Sequence, residues 1–425
     1  MTRSLVTQLL PGLKAHRLSG LDLGTDVVYP AYAGASLVNL PASLCHWLGV
    51  PPFGAAPLAE PWLRAVGGPF RHVLLLLVDG LGLDFFLQRA AQDSWAEILD
   101  GPGMVAPLTS VVPSTTSAAL TTLWTGQPPA AHGVVGYEVW LKEYGMIANL
   151  ITHAAASSPG DVGGLRRTGF DPLTFLPVPT LAPHLVQHDV RCVACQHHSI
   201  AHSGLSTMLQ NGCELLPFRN LSDLWVNVLQ HLAESAQQPS YTWMYWGDLD
   251  ELSHRYGPTD ERVELEYQAF ARSLAQFVRR LRKRGRGDTL FLITADHGHL
   301  HTPKQAQYDL KNHPQMMDCL VMVPSSEARL PFLFVRPGHE ERLQRYIAET
   351  WPGQFQLRRG TDLLAAGLFG EGEIYARVRD RIGDWVAVPA GNAYWWWANR
   401  ENPLQGRHGG VSEIEMLTPL IGLVI

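Results

Sequence analysis

The chain has 425 residues, 46% of them hydrophobic and 17% charged, with 39 acidic against 33 basic side chains and a net charge of −6. That length accommodates one large α/β domain with an inserted subdomain, or two domains, and the composition excludes a disordered or repetitive protein. No basic run exceeds the short "RRLRKRGR" at the end of a helical stretch, so stable nucleic-acid binding is not expected.

Residues 1–63 hold many Pro and Gly and are expected to wrap the surface of the core; the first twenty show no apolar stretch followed by a cleavage site. The first strand signal is "VLLLLV", Val73–Val78, whose apolar run is continuous rather than alternating and suits a sheet buried on both faces. It ends in "DGLG" at Asp79. Next comes "PSTTSAALTTLWTG", Pro113–Gly126, where four consecutive hydroxyl side chains, Ser114–Ser117, precede small and apolar residues. Such residues cap helices by accepting from orphan N–H groups. One is enough for a cap, so the surplus leaves open whether one of the four reacts.

Cys192 and Cys195 in "RCVAC" have CxxC spacing but no second CxxC, and read as core cysteines. An odd total of five argues against a disulfide framework and for a reducing compartment. Two further buried strands follow: "YTWMYW", Tyr241–Trp246, ending in "GDLDELSH", and "TLFLIT", Thr289–Thr294, ending in "ADHGHLH". Between them Val263, Tyr267, Phe270, Leu274, Phe277 and Leu281 recur at steps of three and four, which predicts an amphipathic helix. Strands alternating with helices predict a mostly parallel central sheet with helices on both faces. In such sheets chemistry sits at the carboxyl ends of the strands, where all three polar clusters fall.

Residues 324–393 have a different texture, reading strand, helix, strand, helix, and are expected to form a small α+β insertion, or cap. Residues 1–323 and 394–425 then make the main catalytic domain. No apolar run is long enough to cross a bilayer. The chain is therefore read as free of membrane and cytoplasmic, with its oligomeric state open.

Four separated motifs supply metal ligands. Asp79 ends a strand. Asp250 and His254 share one face of a helical turn. Asp296 and His297 lie where a strand breaks at Gly298, and His408 sits in "GRHGG". Each has an ordinary structural explanation alone, as a cap, surface pair or loop histidine. Jointly, each at the correct end of its element, they form a carboxylate and imidazole set of the kind zinc accepts. Two such ions about 4 Å apart make the clamp used in phosphoryl transfer.

In this order the motifs resemble the alkaline phosphatase superfamily, and within it the type I phosphodiesterase/nucleotide pyrophosphatase branch. The resemblance runs over residues 73–152, 241–303 and 406–423. It is carried by Asp79, Thr116, Asp250 and His254 followed by Gly257 and Pro258, Asp296 and His297, and His408 with Gly409. It implies two zinc ions, with manganese the less expected metal. One would be held by Asp79, Thr116, Asp296 and His297, the other by Asp250, His254 and His408. It also implies that Thr116, opening a helix, is the nucleophile, and that the Ser117 backbone N–H helps bind the phosphoryl oxygens. Thr115 is the neighbouring alternative, and the Ser114 and Ser117 side chains read as caps. One departure is Ala119, where the branch typically carries asparagine three residues after the threonine.

Lys304 and Lys311 are candidate phosphate-binding groups. His299, His301 and His313 are candidates to extend the site, while Asp248 and Glu251 flank it. The expected activity is hydrolysis of a small phosphate ester or nucleotide, diesters favoured, through a phospho-threonine intermediate. A phosphomonoesterase, phosphonate hydrolase or mutase on the same scaffold is the alternative, and a non-catalytic metal-binding protein is the alternative of another class. Tyr394 and Trp395–Trp397, in "NAYWWW", offer a stacking surface, although each taken singly reads first as core packing.

Overall fold

A computed structural model describes residues 2–425. Its centre is an eight-stranded sheet in the order Thr2–Ser4, Gly103–Thr109, Leu417–Val424, Thr289–Thr294, His72–Val78, Ser240–Trp246, Arg191–His197, Glu214–Phe218. Neighbours run parallel except around Leu417–Val424, which is antiparallel to both strands beside it. The expected α/β architecture with a mostly parallel sheet is therefore present.

The unbroken apolar runs are explained by burial on two sides. Val73, Leu75 and Leu77 enter one core with Trp243 and Leu292, while Leu74, Leu76 and Val78 enter the other with Met244 and Ile293. On that second face lies the helix Glu261–Arg282, started by Asp260, whose side chain accepts from the Arg262 N–H. It docks through Val263, Tyr267, Phe270, Leu274, Phe277 and Leu281. Each such side chain contributes about 1.5–3 kcal/mol on full burial. The opposite face receives the helix Thr116–Thr125, buried along its whole length, with Trp124 set 5.3 Å from Trp243 between ring centroids. Small residues such as Ala118 and Ala119 allow so close an approach.

Residues 1–63 do more than wrap the surface. Thr2–Ser4 forms an edge strand, and the helix Leu40–Leu48 buries Leu40, Leu44 and Trp47 in the core.

A second, seven-stranded antiparallel sheet runs Phe355–Arg359, Trp385–Pro389, Leu330–Leu333, Ser325–Glu327, Glu138–Leu141, Met146–Asn149, Ala154–Ala155. The unit read over residues 324–393 thus shares its sheet with residues 138–155, joined where Ser326 pairs with Glu138. Pairing between segments so far apart leaves no local signature in the sequence. Among the described residues no helix is long and apolar enough to cross a membrane.

Candidate metal centre and active site

Three adjacent parallel strands bring the polar clusters together. Leu77 pairs with both Thr294 and Tyr245, so the chains leave the sheet level with one another, at Asp79, Asp296 and Gly247. Gly80, at φ +76°, makes the turn after Asp79; a Cβ there would meet the His299 ring at 3.0 Å and Asp250 at 3.4 Å. The helix Asp248–Tyr256 then presents Asp250 and His254 on one face.

The first cluster is almost wholly buried, with Asp79 2% and Thr116 8% exposed and Asp296 and His297 at 0%. The Thr116 hydroxyl lies 3.2 Å from His297 Nε2 and 3.5 Å from Asp79 Oδ2. His297 Nε2 is also 3.5 Å from Asp79 Oδ1 and 3.4 Å from Asp296 Oδ2. Both of those carboxylate oxygens are buried without a hydrogen-bond donor. The other oxygens are occupied: Asp296 Oδ1 accepts from Gly80 N–H and its neighbour's N–H, and Asp79 Oδ2 from the Tyr245 hydroxyl. Burial, together with the charges of Asp296 and Asp250, pushes the Asp79 carboxyl well above its usual range.

The second cluster gathers Asp250, His254, His299 and His408, each offering one ligand atom within 4.8 Å of the others. His254 Nδ1 lies 2.9 Å from the Gly406 carbonyl and His408 Nδ1 lies 3.0 Å from the Ser114 carbonyl. A carbonyl only accepts, so both rings carry their proton on Nδ1. Their Nε2 lone pairs then face each other at 3.1 Å, with Asp250 oxygens 3.6 and 3.7 Å away. Acceptors converging in this way form a group that could hold a cation. Burial holds His254 down to about 4 and His408 well below the ordinary imidazole value, which keeps both rings neutral. At Asp250 burial raises the pKa, but the surrounding His254 and His299 outweigh it and hold the group well below the carboxylate range. The clusters touch: the His297 and His408 rings stack at 3.6 Å, and Asp250 is within reach of both.

Long-range contacts fix the "RHGG" loop. Ser114 Oγ donates to the Gly410 carbonyl, and the Gly410 N–H donates to Glu415. Glu415 is in turn held by Arg329 through two hydrogen bonds of 3.0 and 2.8 Å, both side chains buried. Gly409, at φ +108°, packs so closely on Glu327 that a Cβ would sit 2.6 Å from it.

The structure separates the two adjacent threonines. Thr115 is the N-cap residue and lines the cavity beside Glu327, while the Thr116 hydroxyl faces Asp79 and His297. The Ser117 hydroxyl is turned away to the Gly136 carbonyl, leaving only its backbone for a substrate. Ala119 is buried against the core rather than in the cavity.

Over the centre lies a cavity of about 480 Å³, lined by Thr116, Asp250, Glu327, Trp396, Trp397 and Arg400 among others. Tyr394 and Trp395 are fully buried, Trp395 stacking on Phe355 at 4.3 Å, although an edge of Trp395 reaches the cavity. Lys304 and Lys311 are exposed and do not line it. His299 joins the centre; His301 pairs with Gly406 outside it, and His313 bonds Tyr346 in a separate core. Asp248 accepts from the Trp246 indole, and Glu251 borders the cavity. The sequence pattern missed Glu327, a buried carboxyl that accepts from the Tyr137 N–H at 2.7 Å and is pushed up to about 8 by burial. Its strand lies in the second sheet, and no motif marks it.

Residues 73–410 match the family model for type I phosphodiesterase/nucleotide pyrophosphatase. Among solved structures, murine ectonucleotide pyrophosphatase/phosphodiesterase 5 is similar at 14% identity and TM-score 0.60, over 82% of this chain and 87% of that one. Its inactive threonine-to-alanine variant in complex with AMP gives the same values, 14% and 0.60 over 82% and 87%. Phosphonoacetate hydrolase from Sinorhizobium meliloti 1021, in complex with phosphonoformate, is similar at 18% identity and TM-score 0.57, over 82% and 89% of the two chains. At such identities the likeness shows the fold, an alkaline phosphatase-like α/β architecture. No curated protein sequence matches the chain.

Proposed function

The chain belongs to the type I phosphodiesterase/nucleotide pyrophosphatase family, and from that premise we propose a two-metal hydrolase of phosphate esters that works through a covalent intermediate on Thr116. The family is one of phosphoester hydrolases in the alkaline phosphatase superfamily. The observation that carries the finer reading is the convergence of bare acceptors beside one hydroxyl. The His297 lone pair and the undonated oxygens of Asp79 and Asp296 lie on the Thr116 side of the centre, and the facing lone pairs of His254 and His408 make the adjoining cluster.

Such a donor set fits two divalent ions. Asp79, Thr116, Asp296 and His297 would hold one, and Asp250, His254 and His408 the other, with His299 orienting Asp250 through a 2.6 Å contact. The mixture of carboxylate and imidazole suits zinc. Bound there, the ions would supply Lewis-acid polarisation of the phosphoryl group and a lowered pKa for the attacking hydroxyl.

The chain's own residues do the rest. Asp79 and His297 fix the Thr116 oxygen at the floor of the cavity. That oxygen gives up its proton and forms a bond to phosphorus while the bond to the leaving group breaks, the leaving group keeping the electron pair and taking up a proton. N–H groups of the first turn of the helix, Ser117 among them, face the non-bridging oxygens, a position that favours anions. Water then breaks the threonine–phosphorus bond, and the hydroxyl regains its proton. A threonine-to-alanine exchange renders the murine relative inactive, which supports a threonine in this role.

The aromatic wall of Trp396 and Trp397 suits a substrate whose leaving group carries a flat ring, such as a nucleotide. A panel of aryl monoesters, aryl diesters, dinucleotides and phosphonoacetate, with metal content measured alongside, tests this. Preference for diesters or dinucleotides with two zinc ions per chain supports the reading. Turnover of monoesters or phosphonoacetate alone moves it to the other activities of the scaffold, and no turnover with metal bound leaves a binding protein.

A further inference from the structure

Away from the centre, Cys192 and Cys213 lie with their sulfurs 2.9 Å apart. Val193 pairs with Glu214 in the parallel ladder between Arg191–His197 and Glu214–Phe218, so the two cysteines stand side by side one residue earlier. Less than about 1 Å of approach separates them from a disulfide bond of about 2.04 Å. Cys192 and Cys195, read from the sequence as core cysteines, are both buried and are not partners. Three residues along a strand reverse the side, and Cys192 and Cys195 enter opposite cores of the sheet.

We propose that Cys192 and Cys213 form a thiol–disulfide exchange site that closes to an intramolecular bridge when a small disulfide of the glutathione type is offered. The two differ in access. Cys213 sits at the bend before its strand and is half-buried, whereas Cys192 is 3% exposed. Cys213 is therefore the thiol that meets the oxidant. Its thiolate attacks one sulfur of the small disulfide and releases one thiolate, giving a mixed disulfide. The Cys192 sulfur then attacks the Cys213 sulfur, loses its proton and displaces the second thiolate. The protein loses two electrons and two protons, and the small disulfide becomes two thiols. Burial beside Cys213 raises the Cys192 thiol well above its ordinary value, which makes it the second rather than the first to react.

The bridge would tie Glu214–Phe218, an edge strand of the main sheet, to Arg191–His197 beside it and close the segment between them. Such a closure restricts the unfolded chain and stabilises the folded one.

The full-length, metal-loaded protein is incubated with oxidised glutathione, denatured, alkylated and mapped by mass spectrometry. Three labelled cysteines, Cys45, Cys195 and Cys319, with one cross-linked peptide pair are expected, since five thiols less two leaves three. Five labelled cysteines, a different pair, or glutathione left on Cys213 would overturn the proposal. The Cys192→Ser variant should stop at the glutathione adduct on Cys213. Reduction should lower the Tm of the oxidised protein by several degrees and leave that of Cys213→Ser unmoved, while turnover of an aryl phosphate ester changes less than about twofold. An equal Tm response in both proteins would also refute it.

Discussion

His132 and His408 are buried and His254 half-buried, His132 meeting Thr122 of the helix Thr116–Thr125 and His408 meeting Ser114 just ahead of it, yet their nitrogens meet opposite surroundings. His132 Nδ1 accepts from the Val134 N–H at 3.1 Å, and Nε2 lies 3.0 Å from the Thr122 hydroxyl. Every polar atom of that ring has a partner. At the centre His254 and His408 each spend Nδ1 on a carbonyl and turn bare Nε2 atoms toward each other. Burial lowers the pKa of all three. A perturbed histidine is therefore no mark of a site by itself. The mark is an acceptor that the fold has built and left without a donor.

The sharpest test of this contrast removes chemistry without removing the ligands around it. Thr116→Ala should lower kcat by at least about a thousandfold, as loss of a nucleophile does, while both ions remain measurable by elemental analysis. Thr115→Ala, which leaves the Thr116 oxygen in place, should cost far less. If the Thr115 variant is the inactive one, the assignment of the hydroxyl is wrong.

His408→Ala should empty the site shared with Asp250 and His254. The expected loss of affinity there exceeds the 10–100-fold typical of an outer hydrogen-bond partner, and the fold is retained. His132→Ala should do the reverse, keeping the metals and losing about 2–3 kcal/mol of stability from a buried, fully bonded ring. Equal metal loss in both variants would erase the distinction drawn above.

Acid supplies a smaller effect of the same kind. The folded His132 pKa, about 3, lies below the unfolded value near 6.5 because burial disfavours the charged ring. Between those values the unfolded chain binds a proton that the folded one does not. Its contribution is thus fully present above pH about 6.5 and declines as pH falls toward 3. The drop in Tm on going from pH 7 to pH 4 should be less steep in His132→Ala than in the parent. The smallest effect belongs to the cavity wall. Trp397→Ala should raise KM for a dinucleotide roughly three- to tenfold and leave KM for a small aryl phosphate within about twofold. Equal changes on both substrates would favour a packing role.

Much of this was legible in the sequence, for physical reasons. Strands buried on both faces must be continuous apolar runs, so Val73–Val78 and Thr289–Thr294 could be read, and with them the polar groups at their ends. The helix Glu261–Arg282 was readable because one face must be apolar and the other wet. What escaped reading depends on contacts between distant segments. The pairing of Ser326 with Glu138, the Arg329–Glu415 clamp behind His408, and Glu327 beside Thr115 have no period and no motif. "NAYWWW" could not be divided by sequence into Trp395, stacked on Phe355, and Trp397 at the cavity. Likewise, the approach of Cys192 to Cys213 comes from strand register, which no spacing in the sequence marks.

The central claim is that the hydroxyl held by Asp79 and His297 attacks phosphorus. It is tested most directly by acid-quenching the zinc-loaded protein during turnover of an aryl phosphate ester and mapping the adduct by mass spectrometry. The account predicts the transferred phosphoryl group on the peptide oxygen of Thr116 and nowhere else, absent from Thr116→Ala. A modified Thr115, or an active enzyme with no adduct at any quench time, would contradict it.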